Sequence, residues 1–274
     1  MFLPLNPLFL TTAIEAVVRA GDLQMAHFGR DFEISKKGTI DLVTEVDVAV
    51  ERRVRALLAE RFPDHQILAE ELGGAATAPA GACWIFDPID GTSNYAHGLP
   101  IFCASLALEI DGVADVAAVY DPNRRELFTA ERGGGAFLNG RPLRVSPAAQ
   151  LVDAMLVTGF PYDVHSRVEE IVGLFAAFVA EARAVRRLGS AALDLCYVAA
   201  GRLDGFWESD LKAWDIAGGA LIVAEAGGRV TDLSGGPFTS RGGHVLATNG
   251  RLHAAMLAVI RGHWARGRAP KVTE

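Results

Sequence analysis

The chain has few cysteines for its length. Only three occur among 274 residues, Cys83, Cys103 and Cys196, and no two have the Cys-x-x-Cys spacing of zinc or redox motifs. An odd number of widely spaced cysteines argues against a disulfide framework and is typical of buried, reduced thiols. We therefore expect a cytoplasmic protein that needs no disulfide for its stability.

Motifs that identify several large enzyme classes are also missing. The sequence contains no Gly-x-x-x-x-Gly-Lys-Ser/Thr loop, no Gly-x-Gly-x-x-Gly after a strand, no His-Glu-x-x-His and no Gly-x-Ser-x-Gly. No apolar run is long enough to span a bilayer. The apolar first residues contain prolines and lack a basic region, so we expect no signal peptide and no membrane partner.

The charge balance is negative, which disfavours some partners. Lys and Arg total 26 and Asp and Glu total 33, so the formal net charge is −7. A broad nucleic-acid or anionic-membrane surface needs the opposite sign. A small phosphorylated ligand stays compatible, because bound cations could supply positive charge locally. With 50% hydrophobic and 22% charged residues, the chain can bury a substantial core.

The order of predicted elements indicates an α/β fold made of two packed subdomains. In residues 1–146, capping-box spacing at Thr12–Glu15 predicts a helix to about Phe28, and strands follow around an Asp111-Gly112 hairpin turn. In residues 147–274, strands alternate with helices, which is typical of layered α/β folds. We expect the boundary near residue 146.

The most informative stretch runs from Trp84 to Asn94. Apolar and aromatic residues lead into Asp87, and a proline, a second carboxylate at Asp90 and a glycine follow. We interpret this as a buried strand that ends at Asp87, a sharp turn, and a helix that begins near Thr92. Two carboxylates at such a turn can point into one small volume, which is unfavourable unless a cation joins them.

Further carboxylates stand at predicted strand ends and helix starts, namely Asp47, Glu70 and Asp215. Each alone fits an ordinary helix cap or a solvated charge. All are oxygen donors with no His or Cys among them, which favours Mg²⁺ over Mn²⁺ or Ca²⁺ and disfavours zinc. Gly91-Thr92-Ser93 adds a helix start with free N–H groups and hydroxyls, which suits phosphate. The combination is typical of phosphoryl transfer.

Four segments, in matching order, resemble motifs of the inositol monophosphatase family: Asp41–Asp47, Ala69–Glu71, Asp87–Thr92 and Trp214–Gly218. The resemblance extends from about Thr12 to Ile260. It implies a Mg²⁺-dependent, lithium-sensitive phosphomonoesterase with a five-layer αβαβα sandwich, usually a homodimer. It also implies direct in-line attack by a metal-activated water, without a phosphoenzyme.

The resemblance also implies a role for each matching position. The implied ligands of two or three Mg²⁺ ions, with Mn²⁺ a possible substitute, are Glu70, Asp87, the Ile89 carbonyl, Asp90 and Asp215. The implied catalytic residues are Asp47, Glu70 and Thr92. The implied substrate contacts are Gly91, Thr92, Ser93, Gly189, Ser190, Ala191, Glu208 and Asp215. Most of the implied metal ligands thus lie in the first subdomain. Lys36 or Lys37 could help to bind the phosphate.

Several functional hypotheses stay open. Myo-inositol 1-phosphate is the leading substrate, while histidinol phosphate, fructose 1,6-bisphosphate, NADP and 3′-phosphoadenosine nucleotides are alternatives. A non-catalytic regulator that binds RNA or a protein is the alternative from a different class. Ser209-Asp210 and the short segment 71–84 depart from the family pattern, and we expect Asp210 to affect which alcohol is accepted.

Overall fold

The computed structural model describes residues 6–30, 34–36, 42–74 and 80–268, where helical and sheet layers alternate. In chain order the helices are α1 (Pro7–His27), α2 (Glu45–Arg61), α3 (Thr92–Ala96), α4 (Val168–Glu181), α5 (Ala191–Ala199), α6 (Ala213–Glu225) and α7 (His253–His263). The strands are β1 (Ile34–Lys36), β2 (Leu42–Thr44), β3 (Gln66–Ala69), β4 (Ala82–Asp90), β5 (Cys103–Ile110), β6 (Val113–Asp121), β7 (Glu126–Glu131), β8 (Gly135–Leu138), β9 (Arg141–Pro142), β10 (Met155–Thr158), β11 (Ala184–Arg186), β12 (Gly205–Glu208), β13 (Arg229–Thr231) and β14 (Val245–Thr248).

The larger sheet has the strand order β3-β4-β5-β6-β7-β8-β9. Its β3 and β4 are parallel, and the other neighbours are antiparallel. The predicted hairpin joins β5 to β6, with φ of 51° at Asp111 and 79° at Gly112. Helices α1 and α2 contact one face of this sheet and α6 contacts strands of the same sheet from the other side, which leaves β4 buried along almost its whole length.

The smaller sheet has the order β11-β10-β12-β14-β13. Strands β11, β10 and β12 run parallel, and β14 pairs antiparallel with both β12 and β13. Helices α5 and α6 contact both sheets, while α4 contacts β11 and α7 contacts β14. The layers are therefore helix, sheet, helix, sheet, helix, and the predicted α/β sandwich is confirmed.

The inner helical layer forms one hydrophobic core with both sheets. Ala192 and Leu195 of α5 and Ile216 of α6 are buried together with Val119 of the larger sheet and Phe206 of the smaller sheet. The two sheets thus share their central core across the proposed subdomain boundary. The division of the chain at residue 146 stays a prediction.

Two local expectations were wrong. Helix α1 begins at Pro7 rather than at Thr12, because the Asn6 side chain accepts the Leu8 N–H at 3.1 Å and a proline suits the first helical turn. Strand β4 continues to Asp90 rather than ending at Asp87, because pairing with β5 resumes at Asp90 after a shift in register.

The cysteines agree with the compositional expectation of buried, reduced thiols. All three cysteines are buried and free. Among the described residues, no helix combines the length and apolarity needed to cross a membrane.

Candidate active site

The candidate site forms at the end of β4, where the pairing with β5 shifts register between Asp87 and Asp90. The Ile89 N–H donates to the Asp87 carboxylate at 3.0 Å. Behind the turn, the buried Gln24 amide of α1 donates to the Pro88 carbonyl at 2.7 Å. These two bonds hold the turn in shape where regular strand pairing is interrupted.

Three carboxylates converge beside this turn. Asp87, Asp90 and Asp215 each offer an oxygen atom within 4.8 Å of the others, and the first two are buried. Asp215 lies in the first turn of α6, where its carboxylate accepts the Lys212 N–H at 2.6 Å. Glu70, just after β3, lines the same cavity as these three carboxylates. The structure therefore brings together the side chains that the sequence analysis singled out as metal ligands.

The surroundings of Asp87 are unfavourable for a charged carboxylate. Burial raises the pKa of its carboxyl group well above the ordinary value, and Glu70, Asp90, Asp215 and Asp47 raise it further. Several negative charges with little access to water are unfavourable without a compensating cation. The cluster is therefore a site in which a divalent ion would be stabilised.

Asp90 connects the larger sheet to the start of α5. The Ser190 hydroxyl donates to its carboxylate at 2.5 Å, and the N–H groups of Ala192 and Ala191 donate at 2.8 and 3.2 Å. The Cys103 thiol lies 3.7 Å away. Burial raises the pKa of Asp90, and these hydrogen bonds oppose the rise. The start of α5 thus orients a carboxylate that belongs to β4.

Asp47 and Thr92, the predicted catalytic pair, are adjacent. The Thr44 N–H donates to Asp47 Oδ2 at 2.8 Å, as expected for the cap of α2, and the Thr44 hydroxyl bonds the same oxygen. Thr92 Oγ1 lies 3.4 Å from Asp47 Oδ1 and 2.9 Å from the Ile89 carbonyl oxygen. With its proton directed to either acceptor, the Thr92 hydroxyl keeps lone pairs for another donor.

Gly91 precedes α3 at a position that only glycine fits. Its φ is 98°, in the left-handed region, and an added Cβ would lie 2.8 Å from the Ile101 carbonyl oxygen and 3.2 Å from that of Gly189. Thr92 is buried and Ser93 is exposed. All three residues of the predicted phosphate cradle line the cleft.

Comparison with known proteins decides the classification. A family model described as the inositol monophosphatase family matches residues 7–265. The chain belongs to the inositol monophosphatase family. The motif resemblance described above is thereby confirmed, and the family indicates a phosphatase.

Relatives in this family carry two kinds of name. Nus factor SuhB of Salmonella typhimurium is 43% identical over 254 residues, 92% of this chain and 95% of that protein. An inositol-1-monophosphatase of Synechocystis is 41% identical over 271 residues, 96% of this chain and 94% of that protein. The crystal structure of extragenic suppressor protein suhB from Bartonella henselae has a TM-score of 0.87 at 37% identity, covering 93% of this chain and 98% of that one.

Inositol monophosphatase-family proteins generally use Mg²⁺, and the donor set here fits that ion. The converging ligand atoms are carboxylate oxygens, which hard divalent cations prefer. The raised pKa of Asp87 supports the same reading, because a cation would relieve the repulsion that raises it.

A second cavity adjoins the carboxylate cluster. It is lined by the predicted substrate contacts beyond the phosphate cradle, namely Gly189, Ser190, Ala191 and Glu208. Glu208 ends β12 and is buried. Burial and the nearby Asp215 raise its pKa to about 8, while Arg187 opposes the shift. Such a group is largely protonated at neutral pH and can both donate and accept hydrogen bonds.

Sequence reasoning missed Asp194 in this second cavity, whereas Arg187 was considered as a possible substrate contact or interface residue. Asp194 is 1% exposed, and burial, then Glu208 and Asp90, raise its pKa well above the ordinary value. Arg187 places its guanidinium 5.8 Å from the centre of the Phe160 ring. A signal for Asp194 was available, because it is a carboxylate inside the apolar helix α5, whose nine residues are all buried.

Part of the predicted site lies outside the described residues. Lys37 and Asp41 lie outside the described residues, and so does the side chain of Lys36, whose backbone belongs to β1.

Proposed function

We propose that this protein is a Mg²⁺-dependent phosphomonoesterase that hydrolyses a small sugar or cyclitol phosphate, with myo-inositol 1-phosphate as the leading candidate. One observation carries the proposal: three carboxylate oxygens converge within 4.8 Å beside the turn that leads into α3. The adjoining cavity offers Glu208 and Arg187 to the alcohol part of a substrate.

Five groups would hold the ions: the carboxylates of Glu70, Asp87, Asp90 and Asp215 and the carbonyl of Ile89. When bound, two Mg²⁺ ions lower the pKa of a water molecule toward about 7 and neutralise charge on the phosphate. The Ile89 carbonyl accepts the Thr92 hydroxyl and retains a second lone pair.

The residues at the helix starts orient the reactants. Thr44 fixes the Asp47 carboxylate, which leaves Asp47 Oδ1 facing the Thr92 hydroxyl. A water that donates to Thr92 Oγ1 would then be held beside the cluster, next to an ester phosphate at Gly91–Ser93. Because phosphoryl transfer depends mainly on positioning and charge neutralisation, these contacts are sufficient without a protein nucleophile.

Phosphate release from a panel of monoesters tests the proposal. We expect Mg²⁺-dependent release from myo-inositol 1-phosphate, abolished by EDTA and reduced by orders of magnitude in Asp90→Asn. Asp153→Asn is the matched control, because Asp153 is exposed and pairs with Arg183 outside both cavities. Near-normal activity of Asp90→Asn in limiting Mg²⁺ would contradict the metal assignment.

The same panel separates the alternative substrates. Histidinol phosphate, fructose 1,6-bisphosphate, NADP and 3′-phosphoadenosine nucleotides are included, and cleavage of nucleotides alone would contradict the cyclitol assignment. Sedimentation velocity tests the proposed homodimer.

A second candidate function follows from the names of relatives. Several are called Nus factor SuhB, which motivates a role in binding RNA or a protein. RNA binding in a gel-shift assay, with no phosphate release at any Mg²⁺ concentration, would favour this role over catalysis.

A further inference from the structure

Asp210 has an unusual backbone conformation in the wall of the second cavity. Its φ is 63°, in the left-handed region that favours glycine. Among the described residues three other non-glycine residues have positive φ, and each lies in a hairpin turn of the larger sheet: Asp111, Arg125 and Asn139. Asp210 instead lies between β12 and α6 and lines the cavity.

The Asp210 carboxylate forms an ion pair with limited access to water. It accepts a hydrogen bond from Arg167 Nη1 at 2.6 Å. The Arg167 side chain is 17% exposed and the Asp210 side chain is 32% exposed. Glu170 binds Arg167 Nη2 at 2.6 Å and so directs the guanidinium. Glycine would adopt this backbone without strain, so the carboxylate is what distinguishes aspartate here.

The pair joins the two connections that enclose the cavity. β10 and β12 are parallel neighbours, with Thr158 opposite Trp207, so the segments that follow them emerge at the same edge. At their base these segments touch, because a Cβ on Gly159 would lie 2.1 Å from Glu208 Oε2. Farther along, residues 159–162, Glu208 and residues 210–212 line the same cavity. Arg167 follows the first of these segments, and its ion pair with Asp210 ties the two segments together.

We propose that Arg167 and Asp210 are a positioning pair that fixes the alcohol-side wall of the cavity and thereby favours substrates whose alcohol part carries hydroxyl groups. This inference rests on the proposed phosphatase function. Neither residue has to touch the reacting phosphate. The pair acts by keeping Phe160–Tyr162 and Glu208 at a fixed separation, so that a polyol can contact both sides at once.

Steady-state kinetics of Asp210→Gly, Arg167→Gln and the double variant test the pair, with myo-inositol 1-phosphate and phenyl phosphate as probes. We expect each single change to raise KM for the polyol ester by about tenfold, with a smaller change in kcat and a lower preference over phenyl phosphate. The double variant should be no worse than Arg167→Gln alone, because each single change already removes the Arg167–Asp210 pair. Arg167→Lys should retain part of the preference.

Arg183→Gln is the matched control, since it removes another 2.6 Å Arg–Asp pair, with Asp153, outside the cavities. Asp210→Gly should fold at least as well as wild type, because glycine relieves the left-handed strain. Effects that multiply in the double variant, or an unchanged KM in Asp210→Gly, would overturn the proposal.

Hydrogen exchange separates this inference from the phosphatase proposal, because it needs no turnover. If wild type hydrolyses no ester, the proposed function fails. The rate of amide exchange in residues 159–167 then still shows whether the Arg167–Asp210 pair holds this segment in place. Asp210→Gly is the variant to compare, because it leaves the pairs of Arg167 with Asp163 and Glu170 in place. Faster exchange in 159–167 in Asp210→Gly, but not in Arg183→Gln, supports a wall held by the Arg167–Asp210 pair. Unchanged exchange in Asp210→Gly contradicts it.

Discussion

The free energy of unfolding should depend on pH through Glu208, and Glu208→Gln should remove that dependence. Burial and the nearby Asp215 raise the pKa of Glu208 from 4.5 to about 8, against the opposing effect of Arg187. A carboxyl group with a raised folded-state pKa holds its proton more tightly in the folded chain. Its contribution to stability is therefore complete below pH 4.5 and is lost as the pH rises to about 8.

The size of the effect follows from the two pKa values. Each pH unit between them is worth about 1.4 kcal/mol, which gives a total of about 5 kcal/mol. About 1 kcal/mol is lost by pH 5 and about 3 kcal/mol by pH 7. Glutamine is neutral throughout and keeps an acceptor for the Gly159 N–H that bonds Glu208. The variant should therefore gain about 3 kcal/mol over wild type at pH 7 and about 1 kcal/mol at pH 5.

Urea unfolding in EDTA at pH 5, 7 and 8.5 measures this difference. EDTA is required because a bound cation would stabilise the ionised form of Glu208. Glu181→Gln is the control, since Glu181 is an exposed residue at the end of α4 and the same chemical change is made there. The reasoning is refuted if Glu208→Gln and wild type keep a constant difference in free energy at all three pH values.

Three further outcomes are expected. Asp90→Asn should lose the Mg²⁺-dependent gain in stability, about 2.7 kcal/mol at 100 times the wild-type Kd, in thermal unfolding scans, whereas Asp153→Asn should keep it. Gly91→Ala should lower the free energy of unfolding by about 1–3 kcal/mol in urea, because its Cβ would lie 2.8 Å from the Ile101 carbonyl oxygen; a smaller loss would contradict the proposed fit. Mg²⁺ affinity measured by calorimetry should rise from pH 5 to pH 8, because Asp87 has a raised pKa; pH-independent affinity would count against the cluster.

Local rules predicted where Asp87, Asp90 and Asp215 lie along their strands and helices, and the family resemblance implied that they come together. Carboxylates at strand ends and in the first turn of a helix occupy positions that the hydrophobic pattern already locates. The capping role of Thr44 toward Asp47 was predictable for the same reason, since both residues lie within one helical turn. The roles proposed for these residues still await the kinetic tests.

The supporting contacts could not be predicted, because they join residues far apart in the sequence. Gln24 reaches Pro88 across 64 positions, and Arg167 reaches Asp210 across 43. No periodicity or motif encodes such pairs, which depend on how whole elements pack. The left-handed φ of Asp210 could not be predicted from the sequence either, because aspartate tolerates that conformation but does not require it.

The start of α5 determines how two buried aspartates of one motif differ. Asp87 and Asp90 are both buried in the same cluster, yet only Asp90 accepts hydrogen bonds from Ser190, Ala191 and Ala192. These donors offset burial at Asp90, whereas Asp87 is opposed by four neighbouring carboxylates, and its pKa is raised well above the ordinary value. The hydrogen bonds from the start of α5 therefore favour the charged form of Asp90, whereas the neighbouring carboxylates disfavour the charged form of Asp87. The Ser190 hydroxyl makes no cap bond to its own helix and instead donates to Asp90. A helix in the second half of the chain thus makes the two aspartates of a motif in the first half electrostatically different.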